Sequence, residues 1–254
     1  MPFARATLYY AILIVCSIPF VPLLPLLWVH TPSWWLRPVI AYLDLMAFLL
    51  KHVCGLSYRV EGLENIPEGP VLFASQHESS WEVLWFIKLL GNPVSFAKRE
   101  VFSYLVGGRI ATLSGHLPID RDGDLDTVRA AFSGAAAAVR QGRSVLIFPS
   151  GTRSTAERDH IATGVSALYS LLDVPCVPVL LDSGRCWPRK SWAKHPGLIT
   201  VRILPPIPRG MPRRLFSEHL REALAATATG EPRSSADEAT GRPLAPAQMP
   251  DQVP

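Results

Sequence analysis

The sequence has few cysteines and lacks the usual nucleotide, metal and nucleic-acid motifs. Its 254 residues include 4 cysteines, without a CxxC or a cysteine/histidine spacing typical of a metal site. The cysteines are Cys16, Cys54, Cys176 and Cys186. We therefore predict reduced thiols used as small apolar side chains, with neither disulfides nor a metal site. A Walker loop, a Lys/Arg-rich block, zinc-finger spacing and an RNA-binding signature are also missing, so we expect no nucleic-acid partner.

Charged side chains are scarce as well. They make up 18% of the chain against 48% hydrophobic residues, and the net charge of +4 favours an anionic lipid surface or an anionic substrate. Residues 6–29 carry no charge over 24 positions, enough for a helix that crosses about 30 Å of hydrocarbon. This run is too long for a cleaved signal peptide and ends without a small-x-small cleavage site, so it predicts a membrane segment.

Prolines interrupt this apolar segment. Pro19, Pro22 and Pro25 each remove a backbone donor, so a bent or re-entrant insertion is as consistent with the sequence as a spanning helix. A second apolar stretch, 34–50, either returns the chain to its starting face or lies along the membrane surface. Flanking cations place the bulk of the protein on the cytoplasmic side by the positive-inside tendency. These cations are Arg5, Lys51 and Arg59.

From about residue 56 short β-rich runs alternate with helical windows. The predicted strands are 71–75, 93–97, 144–149, 174–181 and 198–204. The predicted helices are 124–142, 164–172 and 212–225. Nearly apolar strands that alternate with helices predict an α/β fold with a mostly parallel central sheet flanked by helices. The active site of such a sheet lies beyond the carboxyl ends of its strands.

The chain divides into three predicted parts. Residues 1–52 form membrane-associated helices, and residues 53–225 form the α/β domain. Residues 226–254 are poor in large apolar side chains and rich in proline, alanine and small polar residues, so we expect a disordered tail.

A histidine and a glutamate follow the first of these strands. His77 comes just after residues 71–75, and an imidazole with the ordinary pKa near 6.5 can accept a proton at neutral pH. Five residues of regular helix would turn Glu82 about 140° away, so His77 must precede the helix while Glu82 reaches back from its first turn. The run from Ser79 to Glu82 also matches a capping box. Glu82 is therefore either the orienting carboxylate of a base or a helix cap.

Several cations and one glycine loop follow other strands. Lys98 directly follows the run 93–97, Arg121 follows HLPID, and the strand 144–149 leads into Gly151, Thr152 and Arg153. Glycine lets backbone approach a ligand closely, and the arginine fork matches phosphate. Each of these windows, considered alone, is explained equally well by a structural feature: a solvated charge cluster, a surface ion pair or a tight turn.

Taken in order, these windows resemble the glycerophospholipid acyltransferase family over roughly residues 50–225. That family has a His with an acid five residues on, then Lys-x-Glu, Ile-Asp-Arg, a Phe-Pro-Glu-Gly-Thr-Arg loop and a later Val-Pro. The corresponding residues here are His77 and Glu82, Lys98–Glu100, Ile119–Arg121, Phe148–Arg153 and Val177–Pro178. One such block is weak evidence, whereas five in order at sensible intervals are strong evidence.

The resemblance implies a glycerol-3-phosphate acyltransferase-like fold and a 1-acyl-sn-glycerol-3-phosphate O-acyltransferase at a bacterial inner membrane. His77 would deprotonate the sn-2 hydroxyl as it attacks the thioester of acyl-carrier protein or acyl-CoA, and Glu82 would hold the imidazole. It also implies membrane lipids as partners, and neither a covalent acyl-enzyme nor a metal or cofactor. The implied substrate-binding residues are Lys98, Arg121, Gly151, Thr152 and Arg153.

Three residues depart from the family pattern. Glu82 replaces the more usual Asp, Ser150 stands where the loop has Glu, and Ala162 stands where relatives tend to have Lys. The last two remove charges near the expected phosphate site. An O-acyltransferase of another lysolipid, such as lyso-ornithine lipid, is therefore a second prediction. A catalytically degenerate membrane protein that binds lipid or a partner is a third, from a different functional class.

Overall fold

The computed structural model describes residues 2–28, 36–119, 125–151 and 161–226. Seven strands in this part of the chain form one sheet. They are β1 (Leu56–Glu61), β2 (Leu72–Ser75), β3 (Val94–Lys98), β4 (Leu117–Ile119), β5 (Val145–Ile147), β6 (Cys176–Leu181) and β7 (Gly197–Ile203). The α-helices are α1 (Pro2–Ser17), α2 (Leu36–Leu49), α3 (Trp81–Leu89), α4 (Leu105–Leu113), α5 (Leu125–Arg140), α6 (Thr163–Leu172), α7 (Ser183–Cys186) and α8 (Arg213–Ala225). The predicted tail lies outside the described residues from 227 onward.

The strand order is β1-β7-β6-β2-β5-β3-β4. The five strands from β6 to β4 are parallel, which confirms the predicted α/β class. The sheet is nevertheless mixed, because β7 is antiparallel to β6 and β1 is parallel to β7. The physical reason is the connection after β6: the chain stays at the carboxyl edge of the sheet through α7 and a loop, without a helix that crosses back.

Side chains cover both faces of the sheet, as near-continuous apolar strands predict. Along β2 the direction alternates, so Leu72 and Ala74 join one hydrophobic cluster while Phe73 joins the other. The first cluster lies with α5, α6 and α8, and the second lies with α3 and the N-terminal helices. Because both faces of the sheet are buried, polar side chains are placed at its carboxyl edge.

The two N-terminal helices share the core of the α/β domain. Tyr9 and Leu13 of α1 and Leu43 and Met46 of α2 belong to the cluster that contains Trp81 of α3. Asp44 of α2 forms an ion pair with Lys88 of α3. Helix α2 therefore lies against the domain, and the residues on both sides of position 52 contribute to one continuous cluster.

The opposite side of these helices is apolar and exposed. Leu8, Ile14 and Val15 of α1 and Phe48 of α2 are each more than half exposed. Helix α1 ends at Ser17, and the segment with the three prolines continues as a 3-10 helix over Ile18–Leu27. The described residues contain one helical segment, Pro2–Pro22, that is long enough and apolar enough to cross a membrane.

A loop between α7 and β7 holds α1 in place. The Trp192 ring packs 4.3 Å from the Tyr10 ring, and its Nε1 donates to Thr7 Oγ1 at 3.2 Å. The ammonium of Lys194, only 1% exposed, lies 4.4 Å from the Trp187 ring and donates to the Trp192 carbonyl at 3.0 Å. The first helix is thus attached to the same loop that leaves the carboxyl edge of β6.

His116, just before β4, makes folding stability depend on pH. Its Nδ1 accepts a hydrogen bond from the Ser95 amide at 3.2 Å. Burial, together with the positive charge of Arg143, lowers the pKa of His116 to about 4. The unfolded chain takes up this proton near pH 6.5, so the unfolded state binds more protons between these two values.

We therefore predict that stability falls as pH decreases from about 6.5 to 4. His116→Asn keeps an acceptor near the Nδ1 position but does not titrate, so it should remove about 1–3 kcal/mol of this loss. Urea unfolding in detergent micelles across this pH range measures both curves. Parallel curves for the two proteins would assign the pH dependence to another group.

Candidate active site

His77 and Glu82 meet at the carboxyl edge of β2. The strand ends at Ser75, and the Gln76 side chain accepts from the Leu181 amide at 3.0 Å and donates to the Leu224 carbonyl at 2.7 Å, which fixes the backbone beside His77. His77 precedes α3 and Glu82 lies in its first turn, as the geometric argument required. The Nδ1 of His77 lies 2.9 Å from Oε1 of Glu82.

The carboxylate of Glu82 is fully buried and surrounded by donors. Oε1 also accepts from the amides of Glu78 and Ser79, each at 2.7 Å. Oε2 accepts from the Ser79 hydroxyl at 3.0 Å and from the Ser183 hydroxyl at 2.8 Å. Burial by itself raises the pKa of Glu82, but His77 and these hydroxyl and amide donors outweigh it, so that the pKa lies below its usual value.

These contacts settle the choice between a cap and a partner of the histidine. The Ser79 amide donates to Glu82 three residues on, as in a capping box, although the N-cap position of α3 is Ser80; Ser79 Oγ in turn accepts from the Trp81 amide at 2.9 Å. The same oxygen of Glu82 faces His77. One side chain therefore caps α3 and contacts the imidazole at once.

Because Nδ1 of His77 is hydrogen-bonded to Glu82, Nε2 is the ring nitrogen that can accept a proton. With Nδ1 facing an ionised carboxylate, the ring hydrogen lies on Nδ1, so Nε2 carries the lone pair. The Phe148 ring, just after β5, stacks on the imidazole at 4.1 Å between centroids and 20° between planes. The His77 side chain remains 14% exposed. This arrangement suits a general base that a substrate hydroxyl can reach.

Two of the predicted binding residues, Lys98 and Gly151, lie at or beyond the carboxyl ends of strands β3 and β5, at the same edge of the sheet. Lys98 ends β3 and is exposed, two strands away from His77 in the sheet order. Gly151 follows β5 with φ at +63°, in a turn where its amide donates to the Phe148 carbonyl at 2.9 Å. Arg121, Thr152 and Arg153 lie outside the described residues. In the described part of the chain, no cluster of three His, Cys, Asp or Glu side chains could hold a metal ion.

Sequence reasoning missed three side chains that contact the pair. Phe148 belongs to a recognised block, yet the spacing alone does not indicate that its ring covers an imidazole. Ser79 was interpreted only as part of a cap. Ser183 lies 101 residues from Glu82, but it follows the end of β6 by two residues, and a topology with β6 beside β2 places it at the correct edge.

Comparisons with known proteins identify related sequences and a related fold. Residues 57–182 match the protein family described as Acyltransferase. The chain is 34% identical to a 1-acyl-sn-glycerol-3-phosphate acyltransferase of Pseudomonas aeruginosa over 160 residues, 62% of this chain and 62% of that protein. It is 27% identical to a protein of the same name from Limnanthes douglasii over 171 residues, 65% of this chain and 60% of that protein. The chain thus spans about 60% of the length of these relatives.

A solved structure shares the architecture. The crystal structure of the 1-acyl-sn-glycerophosphate (LPA) acyltransferase PlsC from Thermotoga maritima superposes with a TM-score of 0.68. The superposition covers 88% of this chain and 94% of the Thermotoga chain, at 17% sequence identity. The likeness shows the fold.

The donors around Glu82 yield a stability prediction. Glu82→Ala leaves two buried amides and two buried hydroxyls without their acceptor, so it should lower the free energy of unfolding by about 3 kcal/mol or more. Glu82→Gln retains an acceptor oxygen for the amides and should lose roughly 1 kcal/mol. Urea unfolding of both variants at pH 7 is the measurement. Equal losses would mean that the amides do not depend on this oxygen.

Proposed function

Residues 57–182 of this chain match the acyltransferase family, and from this match we propose that the protein acylates a lysolipid. The proposed reaction transfers a fatty acyl group to the sn-2 hydroxyl of 1-acyl-glycerol-3-phosphate and gives phosphatidic acid. The observation that carries the proposal is the His77–Glu82 pair, 2.9 Å apart at the carboxyl edge of the parallel part of the sheet. The names of the related proteins from Pseudomonas and Limnanthes support this choice of acceptor.

The proposed mechanism uses the pair as a general base. Nε2 of His77 takes the proton of the sn-2 hydroxyl while that oxygen attacks the carbonyl carbon of an acyl thioester. Glu82, held ionised by its donors, stabilises the imidazolium that forms. The carbon–sulfur bond then breaks, and the imidazolium returns the proton to the leaving thiolate. The ester and a free thiol result, without a covalent acyl-enzyme.

Cations at the same edge are the proposed phosphate site. Lys98 is exposed at the end of β3, and Gly151 begins the loop after β5 with a left-handed backbone. We assign phosphate binding to these residues together with Arg121, Thr152 and Arg153. Arginine forks and exposed amides are the groups that recognise phosphate oxygens well.

The membrane is the proposed source of the acceptor. The apolar helix Pro2–Pro22 and the exposed apolar side chains of α1 and α2 support attachment to a bilayer. We place the site at the cytoplasmic face of a bacterial inner membrane, where acyl-carrier protein or acyl-CoA would supply the acyl group. Lysolipid and product both reside in that membrane.

A second acceptor class follows from two substitutions. Ser150 and Ala162 stand where relatives carry Glu and Lys, and the Ala162 amide donates to the Pro149 carbonyl at 3.0 Å, so both positions belong to the region of the phosphate loop. Fewer charges there favour acceptors with a different head group, such as a lyso-ornithine lipid. A degenerate binding protein is less well supported, because the His77–Glu82 pair keeps a complete set of partners.

A lysolipid panel tests the acceptor. Membranes that contain the protein are incubated with labelled acyl donor and either 1-acyl-glycerol-3-phosphate or a lyso-aminolipid, and we expect labelled phosphatidic acid as the main product. His77→Ala removes the proton acceptor and should reduce the rate at least about 10³-fold. If only the lyso-aminolipid is acylated, then that lipid, and not 1-acyl-glycerol-3-phosphate, is the acceptor. An unchanged biological role in the His77→Ala strain would support the degenerate binding protein.

The Glu82→Gln variant tests the second member of the pair. It keeps the bonds to the Ser79 and Glu78 amides but removes the negative charge that stabilises the imidazolium, so kcat should fall about 10²-fold or more while KM changes little. Steady-state kinetics with both substrates give these values, and thermal unfolding verifies the fold. Near-normal turnover would leave Glu82 with a capping role only.

A further inference from the structure

Ser183 connects a distant segment to the carboxylate beside His77. It is the first residue of α7, two residues beyond the end of β6, and both Ser183 and Glu82 are fully buried. Its Oγ donates to Glu82 Oε2 at 2.8 Å. The other described donors to this carboxylate come from residues 77–79, so Ser183 is the described donor that reaches it from another strand of the sheet.

The two oxygens of Glu82 have different kinds of donors. Oε1 faces the imidazole and two backbone amides, which the turn before α3 fixes. Oε2 faces the hydroxyls of Ser79 and Ser183. Removal of the Ser183 hydroxyl therefore leaves Oε2 with one described donor, while the contacts that orient Oε1 remain.

We propose that Ser183 is a positioning residue for the base, which stabilises the charged His77–Glu82 pair and sets the acid limit of the activity. This inference rests on the proposed function. The pair carries one negative charge while His77 is neutral, and each hydrogen bond to the carboxylate stabilises that state. Loss of a donor makes the pair take up its proton at a higher pH, whichever residue receives it.

Other charged groups around this corner are engaged elsewhere. Oε2 of Glu78 accepts from the Gly184 amide at 3.0 Å. Asp182 accepts from the Thr200 amide at 2.7 Å and pairs with Arg185 at 3.4 Å, with Arg59 of β1 acting on the same carboxylate. The carboxylate of Asp182 is thus bonded to other groups, and at the corner after β6 the described donor to Glu82 is the Ser183 hydroxyl.

The test compares Ser183→Ala with Ser183→Thr and with Ser114→Ala. Ser114 is a serine of equal burial whose hydroxyl has no hydrogen-bond partner among the described residues, so it is a matched control. In Ser183→Ala the acid limb of the kcat/KM profile should move up by about 0.5–1 pH unit, with a several-fold lower kcat below pH 7. KM for donor and acceptor should not change. Ser183→Thr restores the hydroxyl and the profile, and Ser114→Ala leaves the profile as in the wild type.

A substrate-free measurement separates this inference from the proposed function. NMR titration of the His77 ring, identified by its absence in His77→Gln, should show a higher midpoint in Ser183→Ala than in the wild type. An unchanged or lower midpoint would overturn the role of Ser183. If Ser183→Ala does not fold, the nearly isosteric Ser183→Cys, a weaker donor, should give an intermediate upward shift, and no shift would again overturn the role. A wild-type protein that acylates none of the lysolipids refutes the proposed function but leaves the titration valid.

Discussion

A negative charge buried inside the protein is the constraint on which the site depends. An isolated carboxylate away from water costs far more free energy than a folded domain can supply, so Glu82 requires compensation from several directions. The turn between β2 and α3 contributes the His77 ring and the Ser79 amide, and the corner after β6 contributes the Ser183 hydroxyl. The sheet must hold β2 and β6 side by side to bring these donors together.

The same requirement explains why the carboxyl edge and the N-terminal helices form one unit. Trp81, the neighbour of Glu82, lies in the cluster that includes Tyr9 and Leu43, so the apolar side of α3 contacts the N-terminal helices while its first turn carries the acid. The turn that carries Glu82 is thus supported from behind by apolar side chains of α1 and α2. Rigid support of this kind is what a general base needs for reproducible geometry.

Much of the fold and part of the site could be predicted from short-range patterns. The strand before His77, the start of α3 and the parallel centre of the sheet followed from apolar runs and one capping signature. The reversed β7 and the three-residue β4 could not, because strand direction depends on the path of the connection and so short a strand carries too little pattern. The Ser183 contact joins residues 101 positions apart, and sequence spacing contains no information about it.

The attachment of α1 to the loop after α7 limits how far the protein can be shortened. Trp192, Tyr10 and Lys194 form an interface between the first helix and the α/β domain, and Tyr9 and Leu13 fill the space behind it. A shortened version that starts at β1 would expose this apolar surface to water and would lose the support of the loop that leads from Ser183 to β7. Production of the α/β domain by truncation therefore yields an aggregation-prone fragment, and biochemical work requires the intact chain in detergent or lipid.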